Sequence, residues 1–156
     1  MIVIVDIDGT LSNCTHRLHN INPPTNSKKN WSEFFSCMDK DTIFHHTRVV
    51  VNALKEVGHT IVLLTGRPEN YRNKTVDWIV ETDVQFDVLL MRPKGDHHSD
   101  VIVKKDLLLG FLSEKGLQVS DILCAFEDRD RIIDLWKSMG IPVFEHRPYE
   151  GAKSEG

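Results

Sequence analysis

Strand-like apolar runs recur along the chain at Ile2–Ile7, Thr60–Thr65, Phe86–Met91, Ile122–Phe126 and Pro142–Glu145. Between them the hydrophobic period lengthens. Val50, Ala53, Leu54 and Val57 fall at i, i+3, i+4 and i+7, with Gly58 placed as a C-terminal stop. Ile132, Leu135, Trp136 and Met139 repeat the pattern ahead of Gly140, and a third helix is expected from about Asp100 to Ser113, with Leu107, Leu108, Phe111 and Leu112 as its apolar side. Strands alternating with helices predict an α/β domain. The expected architecture is a doubly wound, Rossmann-like five-stranded parallel sheet with helices on both faces.

One stretch breaks the rhythm. Residues 11–47 carry Asn-Pro-Pro-Thr-Asn-Ser and a short helical piece over Trp31–Met38. A long segment directly after a candidate catalytic strand reads as a flap or lid. The expected organisation is one domain over residues 1–147, with 11–47 as a small flap, no large cap domain, and a flexible tail over 148–156. Trp31, Phe34 and Phe35 could stack on a base, but packing under the flap is the preferred reading.

A length of 156 residues suits a single core, and the composition is that of an ordinary globular domain. No apolar run is long enough to span a bilayer, so no membrane partner is expected. Cys14, Cys37 and Cys124 are odd in number and lack Cys-x-x-Cys spacing. That pattern fits reduced thiols and a cytoplasmic protein. The net charge of −4 disfavours a protein that coats duplexes and leaves a small-site enzyme open. The paired histidines His16/His19, His45/His46 and His97/His98 do not combine with Cys or Glu at zinc spacing.

The candidate chemistry lies at the carboxyl ends of strands or at a helix start. Asp6 and Asp8 close the first run, where a side-chain period of two would put both carboxylates on one face. Two acids held together there would repel unless a cation or proton lay between them. Thr65-Gly66-Arg67 closes the second run, Lys104 lies in Val-Ile-Val-Lys-Lys, and Glu127-Asp128-Arg129 closes the fourth. Each alone has an ordinary explanation as a turn, cap or solvated face; the four together point to phosphoryl chemistry. A carboxylate such as Asp6 can attack phosphorus, and Asp8 can protonate the leaving oxygen. Thr65, Gly66 and Lys104 supply donors and positive charge, and Mg²⁺ suits the carboxylates.

These four motifs resemble the haloacid dehalogenase superfamily of phosphatases: Asp-x-Asp-Gly-Thr, a Thr after strand two, a Lys, and an acidic pair after strand four. Within it the chain is most similar to the 3′-phosphatase domain of phage-type polynucleotide kinase-phosphatases. The likeness lies in Asp-Ile-Asp-Gly-Thr-Leu with Arg17 downstream, Leu-Thr-Gly-Arg-Pro, Lys-Gly-Asp-x-x-x-Asp ahead of Val-Lys, and Glu-Asp-Arg before Ile-Ile-Asp-Leu-Trp. The resemblance implies Asp6 as nucleophile and Asp8 as general acid/base, with Asp6, Asp8 (through its backbone carbonyl) and Asp128 on Mg²⁺. It implies further that Thr65 and Lys104 hold the phosphate, that Gly66, Arg17 and Arg67 approach the substrate, and that Asp100 and Glu127 support the site. Glu127 stands where the family usually has Asp, its extra methylene favouring a contact to Lys104 or a metal-bound water. His97 and His98 replace basic or hydroxylic positions.

The expected activity is therefore a Mg²⁺-dependent phosphomonoesterase working through an aspartyl-phosphate on nucleic-acid 3′-ends. A 5′(3′)-nucleotidase acting on nucleoside monophosphates would share its catalytic residues. A phospho-accepting receiver-like switch would lack a use for Asp8. No Gly-x-x-x-x-Gly-Lys loop is present, so no kinase activity is expected of this chain, and a separate kinase partner stays open.

Overall fold

A computed structural model describes residues 1–23 and 27–148. Five parallel strands form the main sheet in the order β5-β4-β1-β6-β7: β1 (Ile2–Val5), β4 (Thr60–Pro68), β5 (Val88–Arg92), β6 (Ile122–Glu127) and β7 (Val143–Glu145). From β1 the chain builds outward through β4 and β5, then crosses to lay β6 and β7 on the other side. The direction of winding reverses between β1 and β6, which opens a crevice at their carboxyl ends.

The central strands are buried on both sides, and their alternation sorts two cores. Val3, Val5, Ile61 and Leu63 pack with Val51 of α2 (His45–Glu56) and with Trp78 and Ile79 of α3 (Arg72–Glu81). Ile2, Ile4, Val62 and Leu64 face the other way, onto Leu108, Phe111 and Leu112 of α4 (Asp100–Lys115) and Ile132 and Trp136 of α5 (Asp130–Ser138). This is the doubly wound α/β sheet expected from the pattern, and among the described residues no large cap domain interrupts it. Among the described residues no helix is long and apolar enough to cross a membrane.

Two expectations change in detail. The buried side of α2 carries Thr47 and Val51, whereas Val50 is 46% and Val57 74% exposed. Three consecutive valines at 49–51 give periodicity no single phase, and packing against the sheet selects the last one, Val51. The candidate flap leaves on β2 (Ser12–Asn13) and returns antiparallel on β3 (Thr42–Ile43), carrying α1 (Trp31–Ser36) between two 3₁₀ turns. It is pinned to the body: Trp78 Nε1 donates to the Asp41 carbonyl at 2.8 Å and Lys74 Nζ to the Ser36 carbonyl at 2.7 Å. Of its aromatic cluster only Phe34 is buried; Trp31, expected to pack, is 45% exposed. Residues 24–26 of the Pro-Pro stretch, and 149–156 of the expected tail, lie outside the described residues.

Candidate active site

The catalytic end of the sheet is assembled from elements far apart in the chain. β1 ends at Val5, and the next amide, Asp6 N–H, donates to the Phe126 carbonyl at 3.1 Å, seating Asp6 beside the end of β6. From α4, the buried Lys104 Nζ donates to Asp6 Oδ1 at 2.7 Å and to Glu127 Oε2 at 2.8 Å. The other Glu127 oxygen accepts the backbone amides of Asp128 (3.2 Å) and Arg129 (3.3 Å), so both its oxygens are occupied within the protein. The extra methylene thus serves the contact to Lys104.

Asp6, Glu127 and Asp128 each offer a carboxylate oxygen within 4.8 Å of the others. One ammonium faces three acids. Burial, then repulsion from Glu127, pushes the Asp6 carboxyl well above its ordinary range despite the pull of Lys104. The same two causes push Asp128 up to about 6. Lys104 is held protonated, the two carboxylates outweighing its burial. Asp128 Oδ1 is buried with no hydrogen-bond partner among the described residues. An all-oxygen donor set with excess negative charge and an orphaned carboxylate oxygen fits a hard divalent cation. Gly9 (φ +88°) permits the close approach: a Cβ there would collide with Asp128 Oδ2.

Asp8 goes elsewhere. Asp6 and Asp8 were expected as a like-charged pair on one strand face, but the strand ends before either, and each acid has its own counter-ions. Asp8 Oδ1 accepts from Arg17 Nη2 at 2.5 Å, Arg67 Nη2 at 2.7 Å and Ser12 Oγ at 3.1 Å, while Oδ2 accepts from Arg67 Nε at 3.0 Å. Burial alone would raise its pKa; Arg67 and Arg17 outweigh that and hold the carboxyl far below its ordinary range. The two guanidiniums share a second buried acid, Asp41, which accepts from Arg17 Nε at 2.7 Å and Nη2 at 2.6 Å, and from Arg67 Nη2 at 3.4 Å. His16 Nε2 lies 2.8 Å from Asp41 Oδ1, and the Arg17 guanidinium rests over Phe34 at 4.2 Å. Arg17 and Arg67, implied by resemblance to approach the substrate, are thus buried and turned onto Asp8 and Asp41, and neither lines the cleft.

The remaining expected residues meet around that cleft, of about 1010 Å³, which Asp6, Asp8, Thr65, Gly66, Asp100, Lys104 and Asp128 all line. Thr65 Oγ1 accepts the Arg67 amide at 3.2 Å. A Cβ at Gly66 would sit 2.7 Å from Asp100 Oδ1, which explains the glycine. Asp100 bridges the guanidiniums of Arg92 and Arg129, and Arg92 in turn donates to the Gly66 carbonyl at 3.0 Å and the His98 carbonyl at 2.6 Å. Asp41 and Arg92 were not singled out in the sequence, and Arg129 was quoted in the Glu127-Asp128-Arg129 motif without a role. Asp41, inside Met-Asp-Lys-Asp, reads as solvated charge.

A winding reversal beside a buried Asp-Lys-Glu-Asp cluster, with Thr65 and Gly66 at the next strand end, defines a phosphatase of the haloacid dehalogenase type. The chain belongs to the polynucleotide kinase PNKP phosphatase domain family, whose model matches residues 1–148. Two solved structures of Pnkp1/Rnl/Hen1 complexes, one described as an RNA repair complex, are 28% identical to it, with TM-scores of 0.73 and 0.71. Each is covered over 92% of this chain, which spans only 44% and 41% of those chains. A haloacid dehalogenase-like hydrolase from Streptococcus pneumoniae shares the fold at 14% identity (TM-score 0.64, 92% of this chain and 83% of the other). So does a phosphoserine phosphatase solved as a phospho-aspartyl intermediate analogue (14%, TM-score 0.56, 90% and 84%). No curated protein matches at the significance required.

Proposed function

We propose that this chain removes 3′-phosphates from nucleic-acid ends. The observation that carries the reading is the open cleft along Asp6, Thr65 and Lys104, in a chain of the PNKP phosphatase family. The 38 residues between Thr65 and Lys104 are taken up by α3, β5 and the loop after it, leaving no cap to enclose a free metabolite.

Asp6 attacks phosphorus, forming an aspartyl-phosphate as the ester P–O bond breaks and the leaving oxygen takes a proton from Asp8, which must first pick that proton up from solvent against the pull of Arg17 and Arg67. Water then attacks the phosphoryl group, Asp8 recovers a proton, and inorganic phosphate leaves with Asp6 restored. Lys104, Thr65 Oγ1 and the Gly66 amide hold phosphoryl oxygens. Asp6, Asp128 and the Asp8 carbonyl would hold Mg²⁺, which when bound would supply positive charge to keep Asp6 ionised and offset the phosphate. Arg17 and Arg67 act as positioning residues: they hold Asp8 and oppose its protonation, so they set how readily it gives up a proton. Glu127 holds Lys104, and Asp100 holds the Gly66 turn through Arg92. A kinase step, for which these residues hold no phosphate-binding loop, would fall to another domain or to a separate partner; the Pnkp1/Rnl/Hen1 likeness supports such an assembly.

Turnover should be compared, with Mg²⁺ present, on a 3′-phosphorylated oligonucleotide, its 5′-phosphorylated isomer and a panel of mononucleotides. Preference for the 3′-end is expected. Hydrolysis of mononucleotides alone would replace this reading by the nucleotidase one, which the net charge of −4 favours.

A further inference from the structure

The lining of the cleft includes two unlike groups of side chains that do not touch the reacting phosphate in the proposed mechanism. One is aromatic. Trp31 stacks on Phe35 (ring centroids 5.9 Å apart, 21° between planes), and Phe35 leans on Tyr71 at 5.3 Å. Trp31 also meets the edge of the buried Phe34 at 5.8 Å, and Phe34 is fixed beneath Arg17. Trp31, Phe35 and Tyr71 line the same cleft as Asp6 and Lys104. The other is polar, with His97, His98, Arg129 and Arg131 in the same lining.

Core packing does not account for the aromatic wall. A ring column built only to fill the flap would bury its largest member, yet Trp31 is left 45% exposed. Its place is fixed locally: Asn30 caps α1, its Oδ1 accepting the Glu33 amide at 3.0 Å, so Trp31 opens the helix on the cleft side. Lys29 Nζ lies 5.7 Å from the Trp31 ring centre, placing a cation next to the aromatic face. An indole braced by two further rings loses little freedom when a flat ligand lands on it. Aromatic surface interleaved with positive charge, in the same cleft as Asp6, Thr65 and Lys104, matches the two halves of a nucleotide.

We propose that Trp31, braced by Phe35 and Tyr71, is the stacking platform for the nucleobase of the terminal nucleotide whose phosphate lies at Asp6. This rests on the end-directed reading above. The base lies along the aromatic wall, and Lys29 and Arg131 meet the adjoining phosphodiester charge. Because stacking uses the π-face that every base has, the site is sequence-tolerant.

The test is kcat/KM on two 3′-phosphorylated oligonucleotides that differ only in whether the terminal nucleotide carries a base or is abasic. The wild type should favour the base-bearing end by about 10-fold or more. Trp31→Ala should bring that ratio close to one, and Trp31→Phe should keep most of it, with thermal melts showing that each variant is folded. Equal wild-type rates on the two ends would overturn the platform and leave the end-directed reading standing, as would a Trp31→Ala protein that keeps the full ratio. A wild type that hydrolyses mononucleotides but neither oligonucleotide would overturn the end-directed reading, and the platform with it.

Discussion

Asp41 makes no contact with phosphate in the proposed mechanism, yet its charge should matter more to the protein than most surface ion pairs together. Two guanidiniums, Arg17 and Arg67, are 1% and 0% exposed and are balanced by two carboxylates, Asp8 and Asp41. Asp41→Asn keeps the shape and removes one charge, leaving a buried net positive site. The amide also turns an N–H donor toward a guanidinium that can only donate. Removing one partner of a buried pair costs about 3–5 kcal/mol, a large share of the roughly 5–15 kcal/mol that holds a domain folded. At about 2–4 °C per kcal/mol for this size, the melting temperature should fall by about 6–20 °C. Differential scanning calorimetry reads this directly. The double variant Asp41→Asn/Arg17→Met restores charge balance and should recover part of the loss. Turnover should slow as well, because both guanidiniums are then left to Asp8. A single variant that melts within about 2 °C of the wild type would refute the reasoning.

Three further outcomes follow from the site. Asp6→Asn should lose turnover by about 10³-fold or more while keeping its melting temperature to within a few degrees, as shown by phosphate release and calorimetry. In EDTA the protein should gain stability as pH falls from 7 toward 4: Asp128, raised to about 6, and Asp6, raised as well, bind protons more tightly folded than unfolded. Asp8, whose carboxyl is depressed, contributes stability above about pH 4 that is lost only on further acidification. Stabilisation by Mg²⁺ should therefore be greatest at neutral pH and fade toward pH 5; melts across pH with and without Mg²⁺ would contradict this if its effect were flat. Gly9→Ala, which drives a methyl into Asp128, should weaken Mg²⁺ activation more than it lowers the melting temperature.

The sheet was legible because its strands are nearly pure apolar runs, and the placement of Asp6, Lys104 and the Glu127–Asp128 pair because they fall at strand ends or on a helix next to them. Two kinds of feature were not legible. Triple-valine stretches such as 49–51 have no unique helical phase, so only the packed partner decides which valine is buried. Of the groups around Asp8, Arg67 lies on β4, whereas Arg17 and the second acid it shares, Asp41, lie in the 12–43 excursion, separated by 24 positions with no periodic pattern between them. A buried ion cluster is recognised by its complement, and the complement is a tertiary fact. The same holds for Trp31, whose exposure is set by a cap at Asn30 rather than by its own character.

β1 is the middle of the sheet, and both strands that flank it come later, at Thr60–Pro68 and Ile122–Glu127. During synthesis this apolar strand therefore stays without a neighbour until some sixty further residues have emerged, and it gains its second flank only after twice that length. Asp6 and Lys104 are 98 positions apart, so no early fragment can hold a working centre. A nascent or truncated chain ending before β6 would present a sticky, half-paired edge in place of a slow enzyme. Cells making this protein would gain more from prompt completion or chaperone cover of residues 1–121 than from faster folding of any single helix.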